Sequence, residues 1–416
     1  MTTTHPLTTG PLVTGPLAET TLLRFATAGS VDDGKSTLVG RLLHDSKSVL
    51  TDQLEAVTHA SRNRGQDTPD LALLTDGLRA EREQGITIDV AYRYFATPRR
   101  RFILADTPGH VQYTRNMVTG ASTAELTVVL VDARNGVVEQ TRRHAAIAAL
   151  LRVPHMVLAV NKMDLVGYGQ REFDRIVADF AERAGGPRPL RFTPVPVSAL
   201  LGDNVVERSA HMDWYRGPTL LDLLETVPVG AGAADAPVRF PVQYVIRHGD
   251  ARYYAGQLAS GTLRVGDRVT VHPSGTTSEI TAIDALGTPV ESAHAPQSVS
   301  VRLADQRDVA RGDMLTSGVD VPALTQEVRG AVCHLTDRPL RLGDRVLVRH
   351  TTRTVKGIVQ DLGGAAELTA NDLGRIALRT SRPLALDAYA VSRRTGAFLL
   401  IDPADGATLT AGMVDL

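Results

Sequence analysis

Gly29-Ser30-Val31-Asp32-Asp33-Gly34-Lys35-Ser36 has the form G-x-x-x-x-G-K-[ST]. The apolar run Leu22–Ala28 leads into it and reads as a strand. Thr37-Leu38-Val39-Gly40-Arg41-Leu42-Leu43 follows and reads as the opening of a helix. Strand, glycine-bearing loop and helix in that order form a phosphate-binding loop. A polyphosphate needs many donors in a small volume. The amides of a tight loop supply them, and the helix N-terminus adds its positive dipole end. Glycines let the backbone approach without an intervening side chain. Lys35 is placed to reach the β- and γ-phosphates, and Ser36 to ligate Mg²⁺.

The chain has 416 residues, more than one core usually holds, so two or three domains are expected. Hydrophobic residues make up 43% and charged residues 22%, which is ordinary for a globular chain. The net charge of −1 gives no general reason to expect a nucleic-acid or membrane surface. A single cysteine, Cys333, excludes an intrachain disulfide and a cysteine metal cluster, as suits a reducing cytoplasm. Residues 1–21 lack the basic start and continuous apolar centre of a secretory signal, and read as a flexible tail. No uninterrupted apolar run approaches bilayer-spanning length.

Outward from the loop, residues 22–229 alternate apolar runs with helical patterns. The strands expected are Leu22–Ala28, Arg101–Ala105, Leu126–Val131, Met156–Val160 and Thr193–Pro196. The helices are Lys35–Leu43, Gln140–Leu151, Gln170–Ala184 and Thr219–Thr226. Such alternation argues for an α/β domain: a mostly parallel sheet, helices on both faces, ligands at the carboxyl ends of the strands. Residues 230–237 are small and Pro/Gly-containing, and read as a linker. Beyond it the runs Val238–Arg247, Arg268–His272, Ser298–Leu303, Arg345–His350 and Thr354–Val359 are short and β-branched, with Gly or Pro turns between them. That spacing predicts two small antiparallel β-barrels, residues 238–321 and 322–416. Arg264-Val265-Gly266-Asp267-Arg268-Val269 and Arg341-Leu342-Gly343-Asp344-Arg345-Val346 echo each other, which is read as a turn common between strands rather than a repeat.

Three further stretches carry chemistry. Asp106-Thr107-Pro108-Gly109-His110 follows the second strand candidate. Its carboxylate can support Mg²⁺ through water, and Gly109 offers a bare N–H to a γ-phosphate. Asn161-Lys162-Met163-Asp164 follows the fourth. There Asp164 can accept from the N1 and N2 edge of guanine, a donor pair adenine lacks, and the Lys162 stem can lie along the purine face. Val197-Ser198-Ala199-Leu200 follows the last strand and can hold the guanine carbonyl through a backbone N–H. Thr87, within Glu81–Asp89, is the second candidate ligand for Mg²⁺, in a segment expected to order with the triphosphate. An Asp-x-x-Gly alone is common by chance, and a lone His110 is more often an ordinary histidine. The order and intervals of the whole set point to a guanine nucleotide.

With these residues in hand the chain resembles the translation-factor superfamily of GTPases, a G domain and two barrels as in elongation factor Tu. Asp33 stands where those factors usually place His. Ala80–Phe95, Gln112–Ser122, Arg311-Gly312-Asp313-Met314, and Thr395-Gly396-Ala397-Phe398 to Ala411-Gly412-Met413-Val414 are similar to the GTPase subunit of bacterial sulfate adenylyltransferase. That resemblance implies a cytoplasmic heteromer in which GTP hydrolysis drives a small catalytic subunit. This partner makes adenosine 5′-phosphosulfate and pyrophosphate from ATP and sulfate. It implies that Lys35, Thr37 and the other loop residues bind GTP, that Ser36, Thr87 and Asp106 serve the metal, and that His110 orients the attacking water. Val111 departs from the family's Glu, and Tyr244–Tyr254 is a shortened segment of the first barrel that keeps Arg247 and Arg252. With no second phosphate loop before Leu416, no fused kinase is expected. Two other readings are a translational GTPase delivering charged tRNA and a GTP-controlled interaction module without energy coupling. Asp33, the Ala80–Phe95 match and the near-neutral charge weigh against the first.

Overall fold

The computed structural model describes residues 21–47, 51–63, 69, 71–74, 90–107, 114–183, 191–230, 232–249 and 251–416. The first unit is a six-stranded sheet in the order β2-β3-β1-β4-β5-β6. Its strands are β1 (Leu22–Ala28), β2 (Ala91–Ala96), β3 (Arg101–Asp106), β4 (Leu126–Asp132), β5 (His155–Asn161) and β6 (Thr193–Pro196). All neighbours run parallel except β2, which pairs antiparallel with β3 at the edge. β4 is buried along its whole length, Leu-Thr-Val-Val-Leu-Val-Asp. An apolar run of that kind suits a strand covered on both faces.

Helices α1 (Lys35–Asp45), α3 (Thr114–Ser122), α4 (Glu139–Leu150), α5 (Gln170–Arg183) and α6 (Leu220–Thr226) cover the sheet, and α2 (Thr51–Asn63) packs against the short helical turn Leu71–Leu74. On one face Leu38, Val39 and Leu42 of α1 and Leu220 and Leu224 of α6 meet Leu23, Phe25, Leu104, Val128 and Leu130. On the other, Ala145 and Ala148 of α4 and Phe173, Ile176 and Phe180 of α5 meet Val129, Val131, Leu158 and Val160. Thr219 caps α6: its hydroxyl accepts from the Asp222 amide, and Asp222 accepts from the Thr219 amide in return.

The rest is antiparallel. β7 (Phe240–His248), β8 (Ala251–Gln257), β10 (Arg268–His272), β11 (Thr276–Ala285), β14 (Ser298–Leu303) and β15 (Met314–Ser317) run in the order β10-β15-β7-β8-β14-β11, with β12 (Thr288–Val290) paired to β11 and a separate short pair of β9 (Thr262–Arg264) with β13 (Ser292–His294). Pairing of β10 with β11 closes that ring. β16 (Ala323–His334), β18 (Arg345–His350), β19 (Arg353–Asp361), β21 (Leu373–Leu386), β22 (Ala397–Ile401) and β23 (Thr408–Val414) close the second ring in the order β16-β21-β19-β18-β22-β23, with a separate short pair of β17 (Leu340–Arg341) and β20 (Glu367–Leu368). Closure leaves neither ring with an open edge. The two echoed hexapeptides are strand-to-strand turns, as read, and hold the same place in each barrel. Asp267 Oδ2 accepts from the Arg264 amide at 2.8 Å, and Asp344 Oδ2 from the Arg341 amide at 2.9 Å.

The units are bolted together by named contacts. Arg239 is buried and grips Asp387 of the second barrel through Nε at 2.9 Å and Nη2 at 2.9 Å. Its Nη2 also reaches Asp320, between the barrels, at 2.7 Å. Tyr389 donates its hydroxyl to the Leu151 carbonyl at 2.8 Å, and Arg393 donates to the carbonyls of Ala124 and Ser122, each at 2.8 Å. An apolar seam of Ala28, Met117, Val118, Ala121, Ile147 and Leu151 with Cys333, Tyr389 and Met413 lies beneath these bonds.

Candidate functional site

The carboxyl ends of β1, β3, β4 and β5 carry the site. Gly29 leaves β1 against β4. A Cβ there would lie 3.1 Å from Leu130 Cβ and 3.2 Å from its carbonyl oxygen. Gly34 caps α1 at φ 90°, in the left-handed region, and a Cβ would sit 2.5 Å from Asn161 Nδ2. Glycine is therefore required at that position twice over, by conformation and by space. Asp33 Oδ2 accepts from the Ser30 amide at 2.5 Å, so the residue that replaces the usual His braces the loop's own turn. Burial pushes the Asp33 carboxyl up, opposed by that amide bond and by Lys35.

Lys35 folds back over the loop and donates Nζ to the carbonyls of Gly29 at 3.0 Å and Ser30 at 2.8 Å. Burial lowers its pKa, while Asp106, Asp33 and Asp32 pull it back up. Ser36 and Thr37 lie half-buried in the first turn of α1; Val31 is also half-buried, and Asp32 is exposed at φ 66°. Asp106 ends β3 and is buried, with Oδ1 accepting from the Thr27 hydroxyl at 2.9 Å. Thr107 donates its own hydroxyl to the Thr27 carbonyl at 2.5 Å. Thr27 thus holds both residues to the strand that delivers the phosphate loop. Thr87, Pro108, Gly109 and His110 lie outside the described residues, as do Val111 and the tail 1–20.

The candidate base-reading stretch, Asn161 to Asp164, is tied to the loop between β1 and α1. Asn161 donates Nδ2 to the Asp33 carbonyl at 2.8 Å and accepts from the Ala199 amide at Oδ1, 2.9 Å away. Lys162, at φ 63°, extends Nζ to the Asp32 carbonyl and to Asp132 Oδ2, the latter at 2.9 Å. Met163 is fully buried in the sheet's α4/α5 core and anchors the turn. Asp164 Oδ1 accepts from Ser198 Oγ at 2.7 Å, so the carboxylate expected to select the base is oriented from the neighbouring loop. Arg41 of α1 donates to the carbonyls of Ala199 and Leu200 and so fixes that loop to the helix that follows the phosphate loop. Because the Ala199 amide already serves Asn161, a guanine carbonyl there would share it or take another amide of the loop.

The structure therefore gathers Gly29 through Thr37, Asp106, Thr107, Asn161 through Asp164 and Ser198 through Leu200 at one end of the sheet. Four residues of this region went unnoticed in the sequence: Thr27, Arg41, Asp132 and Arg134. Only Asp132, a carboxylate ending an apolar strand, carried a legible signal. Among the described residues no three His, Cys, Asp or Glu side chains cluster as a metal site.

The family described as Elongation factor Tu GTP binding domain matches residues 20–229. That described as GTP-eEF1A C-terminal domain-like matches residues 327–415. Sulfate adenylyltransferase subunit 1 of Aeromonas salmonicida is 49% identical over 94% of this chain and 86% of its own length. Its counterpart from Cellvibrio japonicus is 46% identical over the same shares. The chain belongs to the sulfate adenylyltransferase subunit 1 family. The Bifunctional enzyme CysN/CysC of Mycobacterium tuberculosis, 55% identical, is matched over 95% of this chain and 67% of that enzyme. Among solved structures, the Ski7 GTPase-like domain of S. cerevisiae superposes with a TM-score of 0.53 at 17% identity, covering 95% of this chain and 97% of that one. At that identity it shares the architecture alone. No described helix is long and apolar enough to cross a membrane.

Proposed function

We propose that this chain is the GTP-hydrolysing subunit of a sulfate adenylyltransferase. GTP hydrolysis here would drive formation of adenosine 5′-phosphosulfate and pyrophosphate from ATP and sulfate on a small catalytic partner. Family membership supports the reaction. The observation that carries the nucleotide reading is Asn161, one buried amide that fixes the phosphate loop and the base-reading loops in a single frame.

In this reading the loop amides and Lys35 hold the β- and γ-phosphates, with Lys35 leaving its loop carbonyls for phosphate oxygen as the stronger, charge-assisted acceptor. Asp164 accepts from N1 and N2 of guanine. At about 1.5–3 kcal/mol per charged hydrogen bond, two such bonds are enough to select the base. Ser198 keeps that carboxylate from turning away. The donor set suits Mg²⁺: hydroxyl and carboxylate oxygens from Ser36, Thr87 and Asp106, hard ligands for a hard cation. When bound, Mg²⁺ would neutralise charge on the phosphate oxygens. By family likeness His110 orients the attacking water. Residues 22–229 form the nucleotide unit of this proposal, joined by 230–237 to barrels at 238–321 and 322–416.

The test is GTP hydrolysis by the chain with its small partner subunit, with ATP and sulfate added or withheld. Turnover that rises only when both are present supports coupling. Turnover indifferent to them contradicts it.

A further inference from the structure

The carboxylate of Asp132, which ends β4 beside Asn161, is 1% exposed and receives four donors. Oδ1 accepts from the Arg134 amide at 2.9 Å and from Arg134 Nε at 3.1 Å. Oδ2 accepts from Arg134 Nη2 at 2.7 Å and from Lys162 Nζ at 2.9 Å. A carboxylate has about four lone-pair positions, so this one is saturated and has none left for a ligand. Its work is to position the two cations it holds.

Of these, Lys162 matters to the nucleotide. It leaves the end of β5 with a left-handed backbone, which a residue with a side chain adopts only under strain, and a strained residue at a ligand site needs something to hold it. Its ammonium is held at both Asp132 and the Asp32 carbonyl of the phosphate loop. The aliphatic stem is therefore stretched from the base-reading turn to the phosphate loop, which is the path a purine nucleoside between those loops must lie along. Arg134 completes the clamp from solvent. Its side chain is 49% exposed, and it engages Asp132 by side chain and backbone together. Burial alone would raise the Asp132 carboxyl; the bonds from Arg134 and Lys162 outweigh it and bring it down to about 2.

We infer that Asp132 is a positioning residue for guanine nucleotide binding. It acts through Lys162, and Arg134 locks it in place. This rests on the guanine-site reading above. Neither residue touches the phosphates or the attacking water, so the effect falls on affinity for the nucleoside and is equal for GDP and GTP.

The experiment is titration of the full-length chain with fluorescent GDP and GTP analogues, on Asp132→Asn and Arg134→Met, each alone and combined with Lys162→Met. Asp132→Asn weakens both nucleotides by about tenfold, the loss of one charge-assisted hydrogen bond. Arg134→Met, a surface change that keeps the fold if Asp132→Asn does not, weakens both by about threefold. For Arg134→Met, KM for GTP rises with kcat within about twofold. In the Lys162→Met background each further change costs less than about twofold, because the group they act through is gone. Losses that add in full to that of Lys162→Met overturn the inference, as does unchanged affinity in Arg134→Met. Failure of the unaltered chain to bind either nucleotide would instead overturn the guanine-site reading.

Discussion

Asn161 Nδ2 lies 2.8 Å from the carbonyl oxygen of Asp33, 128 residues earlier in the chain. Its other amide atom takes the Ala199 N–H, so one side chain joins the loops after β1, β5 and β6. Asn161→Ala removes both bonds and leaves a buried carbonyl and a buried amide unpaired. Each orphaned group costs about 1–3 kcal/mol. The expected outcome is loss of stability in urea of about 3 kcal/mol and GDP affinity reduced more than about tenfold. Unchanged GDP affinity in a folded Asn161→Ala protein would show that the loops do not depend on this tie.

Arg239 and Asp387 form a buried pair between barrels, with Thr395 donating its hydroxyl to Asp387 at 2.6 Å. Removing one partner of such a pair leaves a charge without compensation, at about 3–5 kcal/mol. Arg239→Met is expected to lower unfolding stability by that order. Arg239→Met combined with Asp387→Leu should recover most of the loss, because no buried charge is left alone; Asp320, the other partner of Arg239, is exposed to solvent. Equal losses in the single and double variants would mean that Arg239 packs rather than pairs.

His144 of α4 is buried, with Nε2 2.9 Å from Gln140 Nε2 and Nδ1 lacking a hydrogen-bond partner among the described residues. Burial, with Lys35 and Arg143 adding to it, brings its pKa down to about 3. The unfolded chain takes up this proton near pH 6.5, the folded state only near 3. Stability therefore rises with pH through that window and falls as pH drops through it. Between pH 6.5 and 5 the wild type should lose about 1.6 kcal/mol more than His144→Phe, the slope growing from half of about 1.36 kcal/mol per pH unit at pH 6.5 toward its full value at pH 5. Buried His272, His334 and His350 are pushed down by burial in the same direction and act equally on both proteins. Parallel urea-midpoint curves for the two proteins would contradict the assignment.

Where residues announced their surroundings, the sequence was readable. β1, β6, β10, β14 and β18 match the runs expected, because each is a compact apolar or β-branched run between turn residues. β2 was not seen. Ala-Tyr-Arg-Tyr-Phe-Ala buries only Phe95, and its strand state comes from antiparallel pairing with β3 rather than from its own pattern. α3, Thr-Arg-Asn-Met-Val-Thr-Gly-Ala-Ser, is mostly polar, and its apolar side chains Met117, Val118 and Ala121 face Cys333, Tyr389 and Met413 from the far end of the chain. A local reading cannot supply a partner more than two hundred residues away. In the site, the motif residues could be named from type and order alone, and those among the described residues lie together at one end of the sheet. The bracing by Thr27, Arg41, Asp132 and Arg134 was not, since those residues act through contacts that only the fold creates.

The most direct test of the account exchanges the nucleotide that drives the reaction. Asp164→Asn replaces the acceptor for guanine N2–H with a donor suited to the xanthine carbonyl. With the small partner subunit, ATP and sulfate, adenosine 5′-phosphosulfate formation should be driven by GTP in the unaltered protein and by XTP in Asp164→Asn, with GTP at the same concentration giving little. Formation driven equally well by GTP in both proteins would contradict the account at its centre.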